Sequence, residues 1–210
     1  MPNRNPAPPP PTFRPATRRR LQDMARIGLF LALFMVASNV IPAFHPIPGV
    51  PVTLQVLVVL AAAGLMGVGR SLLFLLVLFL MTLAGIPMMS GFRSGPSFFT
   101  QLTVGYAVGW FPMAAVTGLY RDLLADRAFL RRGLRLPVFL GLAAAGILLC
   151  YACGSGWIAF RNGVAFFPAY LSNAVFFPFD LVKALLAFVL AERVALALPD
   201  ARRAPLRPAG

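Results

Sequence analysis

Residues 178–198 read PFDLVKALLAFVLAERVALAL. A helix needs an apolar run of about this length, roughly 20 residues, to cross a hydrocarbon core about 30 Å thick. Near its start, Asp180 and Lys183 stand three apart, a spacing that puts both on one helix face. Lys183 then lies about 4.5 Å deeper, at a rise of 1.5 Å per residue. An ionisable side chain inside a span costs about 2.5–3.5 kcal/mol on insertion scales. The pair is therefore either a local ion pair that only neutralises itself or a functional site. The second reading gains from position, because Asp180 falls in the first helical turn, where free N–H groups and the positive dipole end favour an anion.

The rest of the chain repeats the pattern. Apolar runs occupy residues 25–40, 52–68, 71–86, 100–119 and 136–153. Across 210 residues, 59% are hydrophobic and 12% charged, and the mean hydropathy is +0.80. Soluble domains hold about 45–50% apolar and about 25% charged residues, so lipid is the solvent this chain expects. The expectation is an all-α integral membrane protein with six transmembrane helices in one bundle over residues 25–198. A Pro/Arg-rich segment, 1–24, precedes it and includes the run Pro8 to Pro11; such a segment is expected to be disordered. A tail, 199–210, follows. Val36-Ala37-Ser38 faintly resembles a signal-peptide cleavage site, but the long Pro-rich lead argues for a retained first helix. Gly67-Val68-Gly69-Arg70 joins the second and third runs as a tight hairpin turn.

The net charge of +13 reads as topology rather than as a nucleic-acid footprint, because the basic residues sit between the apolar runs and at the termini. Sixteen arginines flank the runs on one side: six up to Arg26, then Arg70, five from Arg121 to Arg135, and four from Arg193 onward. Only Arg93 and Arg161 fall on the other. The positive-inside rule makes both termini cytoplasmic. The external connections, 41–51, 87–99 and 154–173, are rich in Pro, Gly and aromatics; Phe166-Phe167-Pro168-Ala169-Tyr170 in the third suits an interfacial segment or a lid over a pocket.

Polar residues near the outer side are few enough to weigh one by one. Thr53 is a helix cap or a ligand contact. Gln55 is an amide that needs partners. Arg93, in an otherwise uncharged loop, either faces headgroups or clamps a carboxylate. Tyr106 lies early in the fourth run, with Asn39, Ser172 and Asn173 completing the set. His45 reads as an ordinary loop residue, and Trp110 and Trp157 as interface anchors or pocket walls. Cys150 and Cys153 share a helix face without a His or further Cys nearby, so they read as packing residues and not as a metal or redox site. The sequence carries no H-E-x-x-H, G-x-S-x-G or P-loop motif, and no metal site or cofactor is expected. Gly28 and Ala32 on the first run form a small-x-x-x-small pair, suited to internal packing or to a partner helix.

Together these residues resemble a known family. Pro51-Val52-Thr53-Leu54-Gln55, Gly85-Ile86-Pro87, Thr103-x-Gly105-Tyr106-x-x-Gly109 and Pro178-Phe179-Asp180-Leu181-Val182-Lys183-Ala184 are similar, in order and spacing, to motifs of the BioY family. Departures are Gln101-Leu102 before Thr103, and Ser90 or Gly91 where some members offer an amide. The resemblance implies a six-helix S-component bundle in a bacterial inner membrane. It would capture biotin at the outer face and deliver it inward with an energy-coupling-factor module, a transmembrane T component and two ABC-type ATPases. It implies a transporter, not an enzyme. Asp180, Lys183, Gln55, Thr53, Arg93 and Tyr106 would bind the ligand, and Gly28 and Ala32 would dock the partner. A different vitamin, or solitary operation on biotin, is the alternative.

Overall fold

The computed structural model describes residues 15–39, 44–47, 50–124 and 132–197. Its helices are α1 (Pro15–Asn39), α2 (Gln55–Met66), α3 (Val68–Leu83), α4 (Pro96–Phe99), α5 (Val104–Leu119), α6 (Arg132–Asn162), α7 (Phe166–Leu171) and α8 (Phe177–Ala197). A π-helical turn, Tyr120–Leu124, extends α5, and a 3-10 turn, Ser172–Val175, joins α7 to α8. Between α1 and α2, β1 (Phe44–Ile47) and β2 (Val50–Val52) form a short antiparallel hairpin.

The outside of this bundle carries many large apolar side chains. Leu29, Leu33 and Val36 on α1, Leu73, Leu76 and Leu80 on α3, and Leu185, Leu186, Val189 and Leu190 on α8 are all exposed. Helices apolar on every face belong in lipid or in a large core, and a surface of this extent is a membrane surface. Residues 20–39 and 133–162 are long and apolar enough to cross a membrane alone; α7–α8, bent by 59°, qualifies as a third crossing if counted as one. α2 and α3, with 12 and 16 residues, are apolar but shorter than a full crossing.

α2 is the centre of the bundle. Its interior positions from Val58 to Met66 are buried, and it packs against α8 and α5. Close approach comes from small side chains: Ala61, Ala62 and Ala63 are buried on α2, and Ala184, Ala187, Ala191 and Ala195 on α8. A Cβ on Gly64 would meet the Phe139 ring at 2.7 Å. α5 and α6 form the most extensive pair, again through glycine. A Cβ on Gly109 would lie 2.8 Å from Cys150 Cα, and one on Gly146 would lie 2.9 Å from Met113 O.

Several expected boundaries shift. α1 begins at Pro15, so residues 15–24 are helical rather than part of a disordered leader; segment 1–14 and the tail 199–210 lie outside the described residues. The fifth apolar run lengthens at both ends into α6, and the connection expected from residue 154 onward is helical as far as Asn162. Gly154-Ser155-Gly156 looks like a helix end because glycine is a poor helix former. Packing overrides that preference, since the Tyr106 ring occupies the space a Cβ on Gly154 would need. Most of the first external connection falls in the β-hairpin or outside the described residues. The expected hairpin turn is present, with Gly67 at φ 80°, a left-handed value that glycine adopts readily.

Candidate functional site

At the end of the bundle where α2 and α8 begin, the helices part around a cavity of about 520 Å³. Small-ligand sites are typically about 300–1,000 Å³, mostly apolar, with a few converging polar groups. This cavity fits that description. Trp110, Phe98, Phe176, Met113 and Ile147 supply apolar wall, and Thr53, Gln55, Arg93, Tyr106, Asp180 and Lys183 all line it. These six come from α2 and the short segment leading into it, the loop after α3, α5 and α8.

Asp180 and Lys183 are both buried. Lys183 Nζ donates to Asp180 Oδ1 at 2.7 Å, the bond their spacing allows. A second donor comes from another helix: the Tyr151 hydroxyl on α6 donates a hydrogen bond to Asp180 Oδ2 at 2.7 Å. The carboxylate is thus held at both oxygens.

Gln55 finds the partners that burial demands. Its Oε1 accepts from Thr53 Oγ1 at 2.9 Å, and its Nε2 donates to Ser38 Oγ at 2.9 Å. Ser38 in turn donates to Phe34 O at 2.7 Å. This chain ties the end of α1 to the start of α2. Thr53 makes no capping bond to α2, whose N-cap is Leu54.

Arg93 is placed by Asn39. The Asn39 amide donates to Pro87 O at 3.2 Å and accepts from Phe92 N at 2.7 Å, bracing the loop after α3 against α1. Phe92 sits at φ 56°, a left-handed conformation uncommon for a bulky residue. On either side of it, Met89 and Arg93 exchange backbone bonds at 3.3 Å. Arg93 remains exposed, and its guanidinium makes no ion pair among the described residues. Among the described residues, two cations and one carboxylate line the cavity, a formal excess of one positive charge. An acceptor-bearing ligand with one negative group complements it.

On the facing wall, Tyr106 Oη donates to Asn173 Oδ1 at 2.8 Å. Asn173, fully buried, sends its amide protons to Ser155 Oγ at 2.8 Å and to Ala169 O and Tyr170 O at 3.1 Å. It therefore fastens the turn before α8 to α5 and α6. Trp110 is a cavity wall, whereas Trp157 donates to Gln101 O at 3.1 Å and lies under Arg161. Cys150, a free thiol, lines the cavity and contacts Tyr106 O at 3.3 Å.

Sequence reasoning missed Tyr151; Ser90, read only as a departure from the family's pattern, lines the cavity with a buried hydroxyl that has no partner among the described residues. Tyr151 lies inside an uninterrupted apolar run, so only the packing of α6 on α8 reveals its partner. Gly28 and Ala32 lie away from the cavity on the exposed face of α1, with no described residue within 4 Å of a Cβ on Gly28. Among the described residues no group of three or more His, Cys, Asp or Glu is placed to hold a metal.

Known proteins resemble this chain in sequence and in fold. The model for the BioY family matches residues 11–200. A Rhizobium etli protein named "Biotin transporter BioY" is 30% identical, covering 85% of this chain and 95% of that protein. A Rhodobacter capsulatus protein of the same name is 33% identical, with 86% and 96% covered. Among solved structures, the S-component for biotin from an ECF-type ABC transporter superposes with a TM-score of 0.73 at 22% identity, covering 85% of this chain and 93% of that one. The fold is that of an S component.

Proposed function

The chain belongs to the BioY family, and from that premise we propose that it is a biotin-uptake protein whose cavity is the biotin-binding site. The observation that carries the reading is the cavity of about 520 Å³ with its net positive charge and its fixed Asp180–Lys183 pair. Biotin is a monoanion, which suits a site with one excess positive charge. Its ureido ring offers N–H donors to Asp180 and a carbonyl to Lys183 or Gln55. Its thiophane ring and alkyl chain suit the Trp110 and Phe176 surfaces, and its carboxylate suits Arg93.

The chain works as an S component in a bacterial cytoplasmic membrane, with six helical crossings and both ends inside. The arginine asymmetry supports this orientation, and it puts the cavity at the outer face. No P-loop is present in the sequence, so ATP-driven uptake draws on a T component and two ABC-type ATPases. The open face at Gly28 and Ala32 is a suitable place for close helix contact. The protein acts by binding and delivery, not by catalysis.

Calorimetric titration of the purified full-length protein with biotin tests the reading. One site per chain is expected, with no comparable heat from other vitamins. A folded preparation that ignores biotin, or prefers another vitamin, overturns it.

A further inference from the structure

Asp180 is held from two helices at once. Lys183, three residues on in α8, donates to Oδ1, and Tyr151 of α6 donates to Oδ2, each at 2.7 Å. The terminal torsion of an aspartate is broad, unlike the sharp staggered wells of sp³ bonds. One anchor would therefore leave the carboxylate plane free to swing. Two anchors, one on each oxygen, fix that plane. Each carboxylate oxygen has two in-plane acceptor positions, and one on each remains after Tyr151 and Lys183 are served.

We propose that Tyr151 is a positioning residue of the binding site, orienting the Asp180 carboxylate so that its remaining acceptor positions meet ligand N–H groups. This rests on the biotin-binding reading and adds a residue to it. The Tyr151 ring is buried and lines the cavity, and Asp180 is the hydrogen-bond partner of its hydroxyl. Lys183 cannot substitute, because it reaches the carboxylate from Asp180's own helix and moves with it. Tyr151 ties the carboxylate to α6, which also carries Cys150 and Ile147 of the cavity wall. The ligand then meets an acceptor whose direction is set before it arrives, and pre-set groups lose less freedom on binding.

The test uses the full-length protein in detergent. Tyr151→Phe removes the hydroxyl alone. Biotin affinity is expected to fall roughly tenfold, as for a hydrogen bond to a charged group. In ligand-free protein, the infrared carboxylate stretch of Asp180, assigned by its loss in Asp180→Asn, is expected to move in Tyr151→Phe. Affinity within twofold of the parent overturns the proposal. So does a tenfold loss with the Asp180 band unmoved, since the hydroxyl would then act other than through Asp180. A parent protein that does not bind biotin removes the functional reading, and that outcome is read on the parent alone. Should Tyr151→Phe not fold, a ring-fluorinated tyrosine at this position keeps the shape and strengthens the donor. The Asp180 band is then expected to move from its position in the parent protein, and an unmoved band overturns the proposal.

Discussion

Asp180 and Lys183 neutralise each other inside an apolar wall, so losing either leaves its partner buried and uncompensated. Removing one member of a buried pair costs about 3–5 kcal/mol. Asp180→Asn and Lys183→Ala are each expected to weaken biotin binding on the order of 100-fold or more, read by calorimetry. Arg93, exposed at the cavity rim, behaves differently. Arg93→Ala is expected to weaken free biotin about tenfold yet leave the uncharged biotin amide within twofold, because the guanidinium meets a charge the amide lacks. The parent protein serves as reference in the same titration. At this scale the sequence was informative where partners are local. Asp180 and Lys183 could be paired from a three-residue spacing, whereas the Thr53–Gln55 bond went unread even at two residues. Partners brought by packing were invisible: Ser38 for Gln55, Asn173 for Tyr106 and Tyr151 for Asp180 are separated by 17, 67 and 29 residues.

Helix α5 lies against α6 because glycine lets their backbones approach. Gly109 offers the clearest test, since a Cβ there would meet backbone atoms of Cys150 at 2.8 Å, which cannot swing aside. Overpacking costs about 1–3 kcal/mol, so Gly109→Ala is expected to lower the thermal unfolding midpoint in detergent. Gly141→Ala is the control: no described residue lies within 4 Å of a Cβ there, and alanine is the better helix former by about 1 kcal/mol. Its midpoint is expected to hold or rise. Hydropathy located the long helices but not their ends. α6 runs on to Asn162 because packing against Tyr106 favours Gly154, a residue that read as a terminator. α1 starts at Pro15 within a stretch whose arginines carry no hydropathy signal, and proline is well tolerated in a first helical turn. Nor did hydropathy say which helix is central: α2 looks like any other apolar run, yet protein rather than lipid covers most of it.

The two ends of the molecule are built for different tasks. One end holds the cavity. The opposite end is fastened by polar contacts: Tyr120 donates to Glu192 Oε1 at 2.9 Å, Arg135 approaches Glu192 Oε2 at 3.4 Å, and Val68 N donates to Asp122 Oδ2 at 2.8 Å. Asp23 joins α1 to α3 through Arg70 at 3.0 Å. These contacts tie α5, α6 and α8 together through Glu192 and brace the start of α3 from the π-helical turn. Glu192→Gln is expected to lower the unfolding midpoint while leaving biotin affinity within twofold, since Glu192 lies outside the cavity lining. A matching loss of affinity would mean that the fastened end also shapes the cavity.

Lys183 is the only lysine in a chain with eighteen arginines. Amine chemistry therefore has one side chain to find here, apart from any free terminal amine, and it lies in the cavity wall. The rate at which a small acylating reagent adds a single mass increment to that lysine becomes an occupancy gauge, slow when the cavity is filled and faster when it is empty. The arginine bias thus leaves the protein with a built-in chemical reporter that needs no engineered label.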